Sequence, residues 1–251
     1  MGRLIHAEFL KLRTTQVWFW LLLATAAVSA LLVVGQLAPA GNVTSSADVP
    51  NLFASSSQPY IIVFVLGVLG VTTEFRYQTI TPTLLQTPSR WSIVIAKLIT
   101  YAIVGIGYAL VAVAVQLAMA VPWLDTKGIA VDFGNPDVRR ALFAVFGVVA
   151  LFGIIGLGVG ALLRNQIVAV VVGIVFLVVI QNILLAIPVV KYAYAYMPAG
   201  AANAMLLTNV QPGDLNGVTL LPPLAGVGVL LLWAFVPAMV GASFTMTRDI
   251  T

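Results

Sequence analysis

Long apolar runs alternate with short polar connections along the whole chain. Six of the runs are long enough to cross a bilayer, which takes about 20 residues in an α-helix. They cover about residues 17–37, 52–73, 93–121, 141–163, 167–187 and 218–246. The pattern predicts an all-α membrane protein with six transmembrane helices, built as a single transmembrane domain over residues 1–251.

Residues 2–13 precede the first run and have a different pattern. At about 100° per residue, their apolar side chains fall on one arc, whereas Arg3, His6 and Arg13 lie opposite. This predicts an amphipathic helix that lies on the membrane surface. Glu8 falls inside the apolar arc, so it either pairs with Lys11 or Arg13 or contacts another protein element.

The stretch Glu74–Lys97 is the longest polar interruption that carries several charges between two strongly apolar runs. It contains Arg76 and Arg90, two prolines and a row of threonines. We therefore expect the functional surface of the protein in this stretch.

The remaining connections are shorter or less charged. Residues 122–140 are predicted as a mixed-charge loop, and residues 188–217 as a semi-polar segment with a short interfacial or re-entrant helix at Ala199–Leu207. Arg164, Asn165 and Gln166 interrupt the apolar sequence for three residues only. They predict a tight turn at a membrane surface, because Arg at the bilayer centre costs ~2.5–3.5 kcal/mol.

Small and polar residues inside the spans leave two alternatives open. Gly156 and Gly160 form a GxxxG pair, which permits close helix packing either within one subunit or at a dimer seam. Gln116, Gln181 and Asn182 either form interhelical hydrogen bonds or line a pathway.

Composition supports the membrane assignment. The chain is 61% hydrophobic and 8% charged, whereas a soluble domain has about 25% charged residues. The net charge of +4 does not indicate nucleic-acid binding, because membrane proteins carry excess Lys and Arg in cytoplasmic loops. The chain has no cysteine and one histidine, which excludes disulfides, thiolate chemistry and a Cys/His metal cluster.

Basic residues predict the orientation. Six spans place both termini on one side, and that side carries twice as many Lys and Arg residues as the other. The first side has Arg3, Lys11, Arg13, Arg76, Arg90, Lys97, Arg164 and Arg248, and the other has Lys127, Arg139, Arg140 and Lys191. The positive-inside rule therefore predicts cytoplasmic N- and C-termini and a cytoplasmic Glu74–Lys97 stretch.

Several kinds of chemistry have no motif in the sequence. There is no GxxxxGK[ST] phosphate loop, no HExxH motif and no convincing pair of catalytic carboxylates. The five clear spans contain no Asp or Glu, which argues against a proton-coupled carrier. We expect a non-enzymatic chain without a cofactor of its own, whose energy comes from a partner.

Three segments carry a resemblance to a known family. They are AEFLKLRTT (Ala7–Thr15), TTEFRYQTITPTLLQTPSR (Thr72–Arg90) followed by Ala96 and Lys97, and GVGALLRNQ (Gly158–Gln166). In this order and spacing, the chain resembles the permease subunits of bacterial type-2 ATP-binding-cassette (ABC) exporters over nearly all its length.

The resemblance implies roles for particular residues. The N-terminal helix would be an elbow at the inner surface that carries Glu8, Lys11 and Arg13. Residues 74–92 would be a coupling loop with a coupling helix at Thr79–Thr87, and residues 188–217 would be an outer re-entrant segment. The implied contacts with an ATPase subunit are Glu74, Arg76, Thr79, Thr81, Leu84, Leu85, Thr87 and Arg90.

The same resemblance implies partners and a task. A separate ABC ATP-binding subunit would bind ATP and Mg, and a second permease subunit, identical or homologous, would complete a pathway through the bacterial plasma membrane. The expected activity is export of a hydrophobic or amphipathic substrate. The alternatives are a non-transporting membrane anchor or assembly subunit of a larger complex, and a secondary carrier.

Overall fold

A computed structural model describes residues 1–38, 41, 43–78, 90–207, 215 and 217–247; for residues 90, 242 and 244–247 it describes the backbone alone. Within these ranges the regular structure is helical. The α-helices are α1 (Gly2–Thr14), α2 (Val17–Leu37), α3 (Val49–Ala54), α4 (Tyr60–Arg76), α5 (Arg90–Thr126), α6 (Pro136–Leu163), α7 (Gln166–Ile174), α8 (Gln181–Ala186), α9 (Pro198–Leu206) and α10 (Pro223–Thr247).

Among the residues that the structure describes, six helical segments are long and apolar enough to cross a membrane, which agrees with the number of spans predicted from the sequence. They are Val17–Leu37, Ser46–Arg76, Trp91–Thr126, Pro136–Leu163, Gln166–Ala186 and Pro223–Gly241. The architecture is that of a multi-pass membrane protein.

Helix α6 is the centre of the bundle and packs against α4, α5 and α10. Its contact with α4 is unusually close, because a Cβ added at Gly156 would lie 2.0 Å from the Phe64 carbonyl oxygen. A Cβ added at Gly160 would lie 3.0 Å from the Val68 carbonyl oxygen. The GxxxG pair therefore packs within one subunit, which was one of the two alternatives left open by the sequence.

The second span is broken, although the apolar pattern predicted one helix over residues 52–73. It consists of a 3₁₀ turn at Ser46–Asp48, helix α3, a second 3₁₀ turn at Ser55–Ser57 and helix α4. In that second turn, each serine hydroxyl donates to the carbonyl three residues earlier, at 2.6–2.8 Å. Pro59 then precedes α4 without a backbone N–H to donate, and these local bonds compete with a continuous helix.

Two helices extend beyond their predicted limits. Helix α6 begins at Pro136, five positions before Ala141, because the Asn135 side chain accepts a 2.8 Å hydrogen bond from the Asp137 N–H and proline suits the first helical position. Helix α5 runs from Arg90 to Thr126 rather than over residues 93–121. The predicted loop 122–140 is therefore only the connection between Thr126 and Pro136.

The fifth span is not a uniform α-helix. Helices α7 and α8 are separated by a π-helical turn at Val175–Ile180, a feature that is frequent at functional sites. The polar turn before α7 has Arg164 in the left-handed conformation (φ 52°). The Asn165 side chain then accepts hydrogen bonds from the N–H groups of Ile167 and Val168, at 3.1 and 3.2 Å.

Short helices occupy part of the segment before the last span. Lys191–Tyr196 is a 3₁₀ helix, α9 follows at Pro198–Leu206, and the last span begins at Pro223 rather than near residue 218. Arg140 of α6 donates to the carbonyls of Ala204, Met205 and Leu207, at 2.8, 3.2 and 3.4 Å. A cation at the C-terminal end of a helix is stabilising, so Arg140 fixes α9 to the bundle.

Candidate functional site

Four charged side chains from three helices meet at one end of the bundle. Lys97 of α5 donates to Glu8 Oε2 and to Glu74 Oε1, both at 2.7 Å. Lys11 of α1 donates to Glu8 Oε1 at 2.7 Å and to Glu74 Oε1 at 2.8 Å. We call Glu8, Lys11, Glu74 and Lys97 the charge cluster; its two ammonium groups balance its two carboxylates.

The charge cluster is largely hidden from solvent. The side chains of Glu8 and Glu74 are 7% exposed and that of Lys97 is 10% exposed, whereas Lys11 is 45% exposed. A buried charge is tolerated only when it is paired and hydrogen-bonded. The three inner groups meet this condition through one another, and Lys11 closes the cluster on its outer side.

A glycine leaves room for a tyrosine of α5 beside the cluster. A Cβ added at Gly70 would lie 1.8 Å from the Tyr101 hydroxyl oxygen, so a larger residue at position 70 would displace the Tyr101 side chain. The Gly70 carbonyl also accepts a 3.3 Å hydrogen bond from Lys97 Nζ, which gives the buried ammonium group a third acceptor.

Lys11 titrates differently from a free lysine. Burial lowers the pKa of Lys11, but hydrogen bonds and attraction from Glu74 and Glu8 outweigh this effect, and the net pKa is raised above 10.5. The folded protein therefore stabilises the charged form of Lys11 throughout the neutral pH range.

Arg76 lies outside the charge cluster and contacts the turn before α7. Its Nη1 donates to Gln166 Oε1 at 3.4 Å. The Arg164 guanidinium lies 5.8 Å from the centroid of the Phe75 ring, within cation–π range. The end of α4 is thus held on one side by α1 and α5 and on the other by the α6–α7 turn.

Most of the predicted coupling loop lies outside the described residues. This holds for Thr79, Thr81, Leu84, Leu85 and Thr87, and for the side chain of Arg90. Their role as ATPase contacts stays a prediction. Glu74 and Lys97 stand on either side of the loop, so the structure shows how its two flanking helices are joined.

The sequence left three alternatives for Glu8, and the structure combines two of them. Glu8 pairs with Lys11 in its own helix and with Lys97 of another element, whereas Arg13 takes no part in the cluster. Sequence reasoning gave Lys97 no partner, although the position of Glu8 on the apolar arc was a signal that α1 meets a cation inside the protein.

The polar residues inside the spans have different surroundings. Gln116 Nε2 donates to the Leu52 carbonyl and to Ser55 Oγ (3.1 Å for the latter), which ties α5 to the break in the second span. Gln181 Oε1 accepts from the Ala199 N–H at 2.8 Å. Both glutamines thus bond between elements, whereas Asn182 donates to Val178 within its own span, at 2.6 Å.

Gln181 and Asn182 also line a cavity of about 330 Å³ between α4, the π-helical turn and α9. Gln181 is buried, and its Nε2 has no hydrogen-bond partner among the described residues. Tyr194 and Asn203 contribute further polar groups, joined by a 2.9 Å hydrogen bond. A pathway role for Gln181 and Asn182 therefore stays a prediction, while Gln181 also forms the hydrogen bond between elements that was the alternative.

The described residues hold no group of three or more His, Cys, Asp or Glu side chains that could bind a metal ion. No protein-family model matches the chain, and no curated protein matches it.

Proposed function

We propose that the chain is the permease subunit of an ABC exporter in a bacterial plasma membrane. It would move a hydrophobic or amphipathic substrate out of the cell, with ATP and Mg bound and ATP hydrolysed on a separate ATPase subunit. The observation that carries the proposal is the charge cluster, because it joins Glu74 and Lys97 on the two sides of the coupling loop to each other and to α1.

The cluster gives the loop a mechanical connection to the spans. A partner that moves residues 79–87 displaces the end of α4 and the start of α5. Because Glu8 and Lys11 bond to both of those helices, α1 moves with them rather than separately. Packed cores respond to such displacements by switching between discrete arrangements, and alternating access needs this behaviour.

The proposed orientation follows from charge. In the predicted topology eight Lys and Arg residues fall on the side of the cluster and four on the opposite side, and this asymmetry supports cytoplasmic termini and an elbow role for α1 at the inner surface. The proposed partners are the ATPase subunit on the coupling loop, a second identical or homologous permease subunit, and the lipid bilayer. Nucleic acid is not among them.

Two other functions would use the same residues differently. A secondary carrier needs a carboxylate that gains and loses protons, whereas Glu8 and Glu74 are both held by Lys97 and Lys11 in a neutral cluster. A membrane anchor would use the coupling loop for docking alone and would need no pathway.

Reconstitution tests the proposal. The chain is co-expressed and co-purified with a candidate ABC-type ATPase subunit and placed in liposomes, and ATPase binding and ATP-dependent substrate movement are measured. The double variant Leu84→Ala/Leu85→Ala is expected to lose both. The matched control is Leu31→Ala/Leu232→Ala, which removes two leucines that are 70% and 63% exposed on α2 and α10.

The outcomes separate the three functions. Unchanged ATPase binding and transport in Leu84→Ala/Leu85→Ala contradict the role of the coupling loop. A stable complex without vectorial transport indicates an anchor, and transport driven by an ion gradient without ATP indicates a carrier. In a folded Lys97→Met variant we expect ATPase binding to persist while less substrate moves for each ATP hydrolysed.

A further inference from the structure

A groove of about 540 Å³ lies between α1, α2 and α5, apart from the charge cluster. Its walls are mainly apolar and include Phe9, Leu12, Trp18 and Val104. The volume is within the range of ordinary ligand sites, about 300–1,000 Å³. The groove is therefore large enough for part of a small organic molecule.

The groove contains space that no side chain of its lining fills. A Cβ added at Gly107 would meet no atom within 4 Å, so this glycine leaves space that a larger side chain would fill. Tyr108 lies beside it and donates its hydroxyl to the Trp18 carbonyl at 2.5 Å, which fixes one wall. Ile103 on the same helix is 48% exposed.

Two basic side chains, His6 and Arg13, also line the groove. They are seven residues apart on α1, which is about two helical turns and places them on one side of the helix. Both are exposed, and neither forms an ion pair with any residue in the part of the chain that the structure describes. The groove thus combines an apolar interior with one guanidinium group and one imidazole at its edge.

The surroundings indicate the occupant. Helices α2 and α5 are two of the six segments able to cross a membrane, so a groove between them is open to lipid. Basic pockets between transmembrane helices on the cytoplasmic side bind anionic lipid head groups. We propose that this groove binds one anionic phospholipid, with an acyl chain against Gly107 and Trp18 and the phosphate on Arg13 and His6. The proposal does not depend on the exporter function.

Native mass spectrometry of the purified chain tests this site. Dioleoyl phosphatidylglycerol and dioleoyl phosphatidylcholine are titrated separately, and the dissociation constant of the first bound lipid is measured. The wild-type chain is expected to prefer phosphatidylglycerol by about fivefold, since one basic residue near anionic lipid contributes about 1 kcal/mol. Arg13→Gln is expected to weaken the binding of phosphatidylglycerol more than that of phosphatidylcholine, and so to abolish this preference.

Two further variants distinguish binding in this groove from nonspecific electrostatic attraction between the chain and anionic lipid. Arg3→Gln removes the same charge from an exposed position of the same helix and is expected to change neither constant. Gly107→Phe fills the groove and is expected to lose the first binding event for both lipids. Helix content and thermal stability in detergent establish that each variant is folded.

If Gly107→Phe does not fold, Trp18 provides an independent readout. Fluorescence of the wild-type chain, minus that of Trp18→Phe, is measured in bilayers with brominated acyl chains. Brominated phosphatidylglycerol is expected to quench this difference signal more than brominated phosphatidylcholine at the same mole fraction. Equal binding of the two lipids by the wild type, an equal loss in Arg3→Gln and Arg13→Gln, or unchanged binding in a folded Gly107→Phe variant overturns the proposal.

Discussion

The Glu8 carboxylate and the Lys97 ammonium group lie 2.7 Å apart, although 89 residues separate them in the sequence. Lys97 lies in α5, beyond the predicted coupling loop, whereas Glu8 lies in the N-terminal helix. Their contact fixes α1 to the start of a helix that is long enough to cross the membrane. The same ammonium group binds Glu74, so one lysine connects three helices.

Replacing Lys97 by methionine is expected to destabilise the protein strongly. Glu8 and Glu74 would stay buried, with Lys11 as the one cation still paired with them among the described residues, and breaking a buried ion pair costs about 3–5 kcal/mol. Thermal unfolding in detergent measures the loss. Lys127→Met is the matched control, because Lys127 is exposed and makes a hydrogen bond to the Leu37 carbonyl but no ion pair within the described residues. Equal losses in the two variants would contradict a special role for Lys97.

Removing Glu74 and Lys97 together is expected to cost less than the sum of the two single changes. In Glu74→Gln/Lys97→Met no buried charge is left without a partner, because the pair between Lys11 and Glu8 at 2.7 Å remains. Groups in one ion-pair network have interaction energies of about 0.5–3 kcal/mol. Unfolding free energies of the four proteins in this double-mutant cycle measure the coupling, and additive losses would show that the two residues act independently.

Gly156→Ala is expected to destabilise the contact between α4 and α6. The new Cβ would lie 2.0 Å from the Phe64 carbonyl oxygen, and overpacking of this kind costs about 1–3 kcal/mol. Gly35→Ala is the control, since a Cβ there meets no atom within 4 Å and alanine favours the helix. The thermal unfolding temperature should fall for Gly156→Ala and rise for Gly35→Ala. A neutral Gly156→Ala variant would contradict the close packing.

The contribution of Lys11 to stability is expected to depend on pH at the alkaline end only. Because the pKa of Lys11 is raised in the folded state, its contribution is complete below the ordinary value of 10.5 and is lost as pH rises through the folded pKa. The stability difference between the wild type and Lys11→Met should stay constant from about pH 7 to about pH 9.5 and shrink above 10.5.

Lys11→Arg is the control for this pH dependence. Arginine stays protonated across the range, so its stability relative to Lys11→Met should not fall at high pH. The measurement is the thermal unfolding temperature of the three proteins in one detergent. A difference between the wild type and Lys11→Met that grows with rising pH would contradict the assigned direction.

Local pattern was sufficient for the spans but not for their interruptions. The six runs were predicted because hydropathy over about 20 residues depends on the chain itself. The break at Ser55–Ser57 and the π-helical turn at Val175–Ile180 were missed, since both segments are compatible with a helix by composition. At the first break, serine hydroxyls bond to their own backbone. The π-helical turn begins two residues after Gly173, where the helix packs closely on the Phe64 ring.

The candidate site, too, could be predicted from the sequence only in part. Glu8 was singled out by its position on the apolar arc, with Lys11 among its predicted partners. The pairing of these two residues with Glu74 and Lys97 could not be predicted from periodicity. Arg140 was assigned only to a loop, whereas in the structure its guanidinium binds three carbonyl groups at the end of α9. A hydrogen bond to a distant carbonyl leaves no pattern in the sequence near either residue.

The class of protein, the number of spans and the charge asymmetry could be predicted from the linear chain, because hydrophobic length and the count of basic residues are properties of it. The fold was needed to show that Glu8 and Lys11 lie beside Glu74 and Lys97. Ion pairing requires that charges lie within about 4 Å, and that distance depends on which helices are neighbours and on how the side chains between them pack.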